Sequence, residues 1–239
     1  MQKSNWVTCT QGSRFEKDIV TLLDIPKEKL YNLPIGIASI DEILSRPFIT
    51  DEQAKRVWGF EGKYVIVIGY NGSPAHNHIK VIKSLVFMKK QLPTNTILVC
   101  PMTYGGNPVY RKKIKRLLWN SQFENQILEN YLTAEELVCL RKATDLFIHA
   151  QNTDANSGTI AEYLLCRKKI VNPTWITYPH YETYGSPFYS FSNFEELPQA
   201  IMKAINDTSN KVSPLLTGNI SESGWSKLAC KWVELYKKY

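Results

Sequence analysis

Tyr64-Val65-Ile66-Val67-Ile68 is an unbroken apolar run rich in β-branched residues, and it stops at Gly69-Tyr70-Asn71-Gly72-Ser73-Pro74-Ala75. A strand that is apolar on both sides must be covered on both faces, which is the condition of a strand inside a parallel sheet. Thr96 to Cys100 (TILVC), Asp145 to Ala150 (DLFIHA) and Ile170-Val171 repeat the type, with a shorter run at Gln126 to Leu128. Segments of helical spacing separate them: His78 to Lys90, Tyr110 to Leu118, Thr133 to Lys142 and Thr159 to Cys166. Thr133 with Glu136 makes a capping box at the head of the third. This alternation dictates an α/β fold, a Rossmann-like parallel sheet with helices on both faces.

The flanking sequence is less regular. Trp6 to Thr10 reads as a short strand, Ser13 and Glu16 as a capping box for a helix reaching Leu23, and Leu30 to Leu33 as another short run. Pro34-Ile35-Gly36-Ile37 breaks regularity before helices at Ile40 to Ser45 and from Thr50 to Trp58. Beyond the alternating region come an aromatic-rich loop (Trp175 to Tyr189), a helix (Glu195 to Asn206) and a polar linker (Asp207 to Ser223). A last amphipathic helix, Trp225 to Tyr239, carries Trp225, Leu228, Ala229, Trp232, Leu235 and Tyr236 on its apolar side. The expected division is therefore 1–58, 59–206 and 207–239.

With 44% hydrophobic and 21% charged residues, the chain can bury a real core. No run approaches the roughly 18 apolar residues of a membrane span, and MQKSNWVTC has no signal-peptide core, so a cytoplasmic protein is expected. Five cysteines without a CxxC pair fit a reducing compartment. The net charge of +7 admits nucleic acid, an anionic small molecule or an anionic membrane surface as partner. Its densest cluster, Arg111-Lys112-Lys113-Ile114-Lys115-Arg116, lies in a helix and reads first as a solvated face. No nucleic-acid fingerprint accompanies it, so no nucleic-acid partner is expected.

Several chemistries are excluded by missing motifs. GxGxxG, GxxxxGK[ST], an Asp-x-Asp pair and a Ser nucleophile elbow are all absent. His76-x-His78 has no third ligand nearby, so no metal is expected. What remains is a set of loops following successive strands: Gly69 to Asn77, Pro101 to Pro108, Gln151 to Gly158 and Pro173 to Tyr184. Each alone reads as a turn. Together, along one sheet edge, their Gly, Asn, Ser and Tyr residues suit an anionic, hydroxyl-rich ligand. The third loop is the most telling, since Asn156-Ser157-Gly158-Thr159 opens a helix whose N-terminus offers N–H groups and a positive dipole end. Asp154 falls in that loop and Glu162 within the helix; the plainer alternative makes Ser157 or Thr159 a cap and Glu162 a solvated residue.

From Tyr64 to Asn206 the order of elements resembles the carboxyl-terminal, donor-binding domain of GT-B glycosyltransferases. Asp154-x7-Glu162 is similar to the Glu-x7-Glu motif of retaining members, with Asp first. Gly69 to Ile79 resembles the GNSG-x-x-x-N-x-H-I segment of the Fuc4NAc transferases, which use a dTDP-linked 4-acetamido-4,6-dideoxygalactose. Gly69, Gly72, His78 and Ile79 agree, while Tyr70, Asn71 and His76 replace Asn, Ser and Asn. Thr103-Tyr104-Gly105-Gly106-Asn107-x-x-Tyr110 and Gln151-x-x-Asp154 are similar to the same group. The family's usual Arg and Lys in the first loop are missing, with Tyr70 and Asn77 near their places.

The resemblance implies a glycosyltransferase of the hexosyl class, or its donor half, with a nucleotide-diphosphate sugar as substrate and no cofactor. It implies that Asn77, His78 and the amides of Ser157, Gly158 and Thr159 hold the diphosphate. Glu162 would take the ribose hydroxyls and Asp154 the sugar, with Asn71, Gly72, Tyr104, Gly105 and Gln151 completing the substrate site. No catalytic base is named. Residues 1 to about 50 resemble the end of an amino-terminal acceptor domain, which implies a fragment or a partner subunit carrying that domain. A lipid-linked or polysaccharide acceptor follows from the same resemblance; a peripheral place at the inner membrane face is expected from charge alone, on the helix at Arg111 to Arg116 and the cationic carboxyl end. A nucleotide-sugar-binding module without activity, and a GT-B-like epimerase, are the alternatives.

Overall fold

The computed structural model describes residues 7–9, 16–154 and 156–238. Ahead of the main sheet come β1 (Val7–Cys9), α1 (Glu16–Leu23), β2 (Leu30–Asn32), α2 (Ala38–Leu44) and α3 (Asp51–Trp58). Here β1 and β2 pair in parallel as a separate small sheet. Trp6, Thr10 and the Ser13 cap expected from the sequence lie outside the described residues. Thr50 makes a complete capping box with Gln53 at the head of α3.

The alternating region follows as β3 (Tyr64–Ile68), α4 (His78–Phe87), β4 (Thr96–Pro101), α5 (Pro108–Asn120) and β5 (Glu124–Leu128). It continues with α6 (Ala134–Ala143), β6 (Leu146–Ile148), α7 (Gly158–Leu165) and β7 (Lys169–Pro173). Then come α8 (Pro179–Glu182), β8 (Phe188–Phe191), α9 (Leu197–Asn206), α10 (Pro214–Ser221) and α11 (Trp225–Lys238). The sheet runs β5-β4-β3-β6-β7-β8, with every neighbouring pair parallel. The chain lays β3, β4 and β5 outward in one direction, then returns to place β6 on the other side of β3. That reversal makes the carboxyl ends of β3 and β6 the crevice where an open α/β sheet binds ligands.

Side chains of β3 show why the strand is apolar throughout. Val65 and Val67 enter one core with Leu140, Ile160 and Leu164, while Ile66 and Ile68 enter the other with Val81, Leu85, Ile114 and Leu118. Both faces of the sheet are covered, as the continuous run requires.

Two expectations are corrected. The supposed loop Trp175 to Tyr189 contains α8 and runs into a sixth strand, β8, in which Phe188, Tyr189 and Phe191 are buried and Ile170 pairs with Phe188. The supposed polar linker contains α10. Its Ser213 hydroxyl accepts from Leu216 N–H, Pro214 takes the first helical position, and Leu216 and Ile220 are buried. Burial against the core offsets the poor helix propensity of Thr217, Gly218 and Asn219. In α11, Leu228 and Leu235 are buried as expected, but Ala229 and Tyr236 face solvent.

The last helix returns to the start of the chain. A Cβ on Gly36 would lie 2.4 Å from the Trp225 ring, so the close approach requires glycine. Trp232 Nε1 donates to the Pro34 carbonyl (3.1 Å), and Ser226 N–H donates to Asp41 Oδ2 (3.1 Å).

Candidate functional site

Three loops meet outside the crevice and brace one another. Asn77, at φ 54°, donates its side-chain amide to the Ala150 carbonyl (2.8 Å) and to Asn152 Oδ1 (2.7 Å). Asn152 N–H returns to the Ala75 carbonyl (3.0 Å), so the loops after β3 and β6 are tied. Asn71 Oδ1 accepts from Ser73 N–H and shapes the first loop from within. Gly72 N–H donates to the Tyr104 carbonyl (2.7 Å), joining the loop after β4. A Cβ on Gly106 would lie 2.1 Å from the Gly72 oxygen, and Gly105 and Gly106 have φ of +70° and +68°. This interlock admits only glycine at Gly106.

Beneath the loops, His76 and His78 are buried. His78 Nδ1 lies 3.2 Å from the Tyr110 hydroxyl, its Nε2 has no hydrogen-bond partner, and neither ring nitrogen of His76 has one. Burial first, then the neighbouring His78 and His149, pulls His76 down to about 3. Burial likewise pulls His78 down to about 4, so both rings are neutral supports at pH 7. The structure therefore places the His78 ring under the loop rather than in the open crevice. Among the described residues, no three His, Cys, Asp or Glu side chains converge as a metal set.

A polar cluster faces the start of α7. His149 is fully buried; Asn172 gives its amide hydrogens to the Pro173 and Ile176 carbonyls and turns its oxygen to His149 Nδ1 (2.8 Å). His149 Nε2 lies 3.3 Å from Gln151 Oε1 and 3.4 Å from Asp154 Oδ2. Tyr70 donates to Gln151 Oε1 (2.8 Å) and Tyr178 to Asp154 Oδ2 (2.9 Å). Burial, then the Asp154 charge, pushes Tyr70 up to about 12 and Tyr178 well above the ordinary tyrosine range, so both remain donors. Ser157 occupies the N-cap of α7 without a side-chain capping bond. The first-turn N–H groups of Gly158 and Thr159 have no partner within their own helix.

Glu162 does not lie on a solvated face; it is ion-paired at the border of a hollow. It is 6% exposed; Oε1 accepts from the Ser39 hydroxyl, and Oε2 accepts from Arg141 Nε at 2.7 Å. Arg141 also donates to the Tyr163 hydroxyl (3.1 Å) and stacks over that ring. Glu162, Arg141 and Thr159 border a hollow of about 220 Å³ whose other walls include Tyr70, Tyr104 and Tyr131. Tyr104 and Tyr131 lie nearly parallel, with centroids 6.2 Å apart and planes 6° off. The hollow is smaller than the roughly 300–1,000 Å³ of a site enclosing a whole drug-sized ligand. It has room for one flat group and a ring bearing hydroxyls. A second hollow of about 500 Å³ opens at the opposite edge of the sheet. There Lys63 is paired with Glu124 and Lys89 with the Ser121 and Gln122 carbonyls, and no helix N-terminus serves it.

The structure thus brings Asn71, Gly72, Asn77, Tyr104, Gly105, Gln151, Asp154, Ser157, Gly158, Thr159 and Glu162 to one sheet edge. Sequence reasoning missed Ser39, Tyr131, Arg141, His149, Asn172 and Tyr178 as members of it. One had a readable signal: Arg141 follows Val138-Cys139-Leu140, a cation inside an apolar stretch of helix. Tyr178 lies in the candidate loop Pro173 to Tyr184 without being singled out, and Asn172 gave no signal.

No protein-family model matches the sequence, and no curated protein does. Solved structures do. A glycosyltransferase from Rickettsia africae ESF-5 superposes with a TM-score of 0.75 at 16% identity, over 99% of this chain and 64% of its own. The fold is that of the GT-B glycosyltransferases. Anabaena HepE, solved with UDP-glucose, gives 0.72 at 15% identity over 99% and 64%. Sucrose-phosphate synthase from Thermosynechococcus elongatus gives 0.66 at 15% over 99% and 59%. The chain spans less than two thirds of the length of these GT-B structures. Identity at this level establishes the fold and leaves the chemistry to the residues.

Proposed function

We propose that this chain is the donor-binding part of a glycosyltransferase that uses a nucleotide-diphosphate sugar. The observation that carries the reading is the small tyrosine-walled hollow bordered by Glu162 and lying beside the N-terminus of α7. A base lies along the tyrosines, and the ribose hydroxyls reach Glu162, displacing or joining Ser39 at Oε1. The diphosphate lies across the first turn of α7, where the Gly158 and Thr159 amides and the helix dipole face it. Arg111, which donates to the Gly105 carbonyl (2.7 Å), adds positive charge beside the loops, where the family's usual loop cations are missing. The sugar meets Asp154, Gln151 and Tyr178. Transfer breaks the bond from the anomeric carbon to the phosphate oxygen and forms one from that carbon to an acceptor hydroxyl oxygen, whose proton passes to the base of the acceptor part. The preorganised amides and Arg111 stabilise the charge that builds on the departing diphosphate.

Residues 1–58 are read as the end of an amino-terminal acceptor domain, and the rest of that domain, with the catalytic base, as a further part or partner. The acceptor is read as a lipid-linked or polysaccharide sugar. The Gly69 to Ile79 segment favours a dTDP-linked 4-acetamido-4,6-dideoxygalactose among donors. A module that binds the donor without transferring it is the second reading, favoured by the absence of a placed base among the described residues of the site.

Titration calorimetry against UDP, dTDP and GDP, alone and as sugar conjugates, tests the proposal. At least one binds, and Glu162→Gln weakens it roughly tenfold, the scale of one charge-assisted hydrogen bond. If none of the panel binds the intact chain, the reading is wrong.

A further inference from the structure

Positive charge in this protein is concentrated in one stretch. Between Glu61 and Glu124 the sequence has ten Lys and Arg and no Asp or Glu, whereas the whole chain is only +7, so everything else is net negative. That stretch builds β3, α4, β4 and α5, and the two helices pack side by side on one face of the sheet. Ile114 and Leu118 turn α5 toward the core. Val109, Lys112, Lys113, Arg116 and Trp119 recur at helical steps along its outer side. On α4, Lys83 and Phe87 face outward opposite the buried Val81 and Leu85.

Trp119 is 84% exposed, Phe87 83% and Val109 78%, three of the four most exposed large apolar side chains among the described residues. Lys89, just past α4, donates to the Ser121 and Gln122 carbonyls just past α5, so Phe87 and Trp119 emerge at tied helix ends. A merely solvated basic face has no use for an indole and a phenyl ring standing in water. A strand of nucleic acid takes aromatic platforms interleaved with its cations; here the two rings stand at the carboxyl-terminal ends of α4 and α5, flanking the Lys112 to Arg116 cations rather than alternating with them. Apolar side chains at both ends of a helix, with cations between, match the headgroup layer of an anionic bilayer.

We propose that the α4–α5 face docks on an anionic lipid bilayer, with α5 lying along the surface between Val109 and Trp119. The proposal stands apart from the nucleotide reading and is measured separately from it.

The test is co-sedimentation of the full chain with phosphatidylcholine vesicles, with and without phosphatidylglycerol. Binding is expected only to the anionic vesicles and weakens as salt rises. A K112E/K113E/R116E variant should lower partitioning roughly 100-fold, about what three lost surface cations contribute. An F87S/W119S variant should lower it about tenfold. Both should keep the wild-type melting temperature and nucleotide affinity, so loss of docking and loss of the donor site are distinguishable. Equal binding to neutral vesicles, or undiminished binding by either variant, overturns the proposal. So does an RNA homopolymer that binds more tightly than the vesicles and is indifferent to F87S/W119S.

Discussion

Arg141 and Glu162 form an ion pair between α6 and α7, Nε to Oε2 at 2.7 Å, with side chains only 7% and 8% exposed. Neither charge can be removed alone without stranding the other in the core. Arg141→Met should therefore destabilise the fold by roughly 3–5 kcal/mol, lowering the melting temperature by on the order of ten degrees. Differential scanning calorimetry measures it, and a shift within one or two degrees would show that the pair contributes little. Glu162→Gln also leaves Arg141 without its counter-charge, although the glutamine oxygen keeps an acceptor toward it, so the melting temperature of that variant is measured beside its ligand affinity.

Acid should loosen the loop layer through His76 and His78. Their folded values, about 3 and about 4, lie below the ordinary 6.5, so the unfolded chain binds more protons between those limits. Their contribution to stability is complete above about pH 6.5, falls as pH drops, and stops falling below pH 3 to 4. Each group adds a slope of up to about 1.4 kcal/mol per pH unit. Urea unfolding at pH 7 and pH 5 should show the decline, and His76→Leu should flatten it. A His76→Leu protein with the wild-type slope contradicts this assignment.

Gly106→Ala should separate two loops. It combines a φ of +68° with a collision against the Gly72 oxygen, whereas Gly185→Ala meets only a φ of +108° in open space. Both variants carry backbone strain of about 1 kcal/mol or more. Only Gly106→Ala should also weaken nucleotide binding, by fivefold or more on the scale of a lost loop hydrogen bond. Equal losses from the two would mean that the interlock has no part in the site.

Tyr178→Phe removes the hydroxyl that donates to Asp154. If Asp154 serves the sugar, affinity for the free nucleoside diphosphate should be unchanged while the sugar conjugate binds about fivefold less tightly, one neutral hydrogen bond's worth. Calorimetry with the matched pair of ligands decides it. Parallel losses for both ligands would remove Asp154 from the sugar.

The sheet was legible because its strands are long, apolar and stopped by turn residues; Tyr64 to Ile68 is read from sequence and observed with identical limits. β8 was hidden by brevity, by an exposed Ser190, and by the proline and glycine that precede it. α10 was hidden by polar, helix-poor residues, although Ser213-Pro214 carried the capping signal. At the site, the loop and helix N-terminus around Ser157 follow from local order, whereas the partners of Glu162 do not. Arg141 lies 21 residues away and Ser39 lies 123 away, and only the packing of α2, α6 and α7 brings them together.

The contacts between the final helix and the linker at Pro34 to Asp41 join residues 185 to 198 positions apart, and Lys238 reaches Tyr31 across 207. Closing so long a loop is among the costliest steps in chain entropy and rewards the chain only when both ends are present. During synthesis, residues 31–41 leave the ribosome well before residues 223–238 exist to hold them. The Gly36–Trp225 clasp is therefore a late step of maturation: the sheet and its crevice can form first, and the leading segment settles only once the last helix has been made.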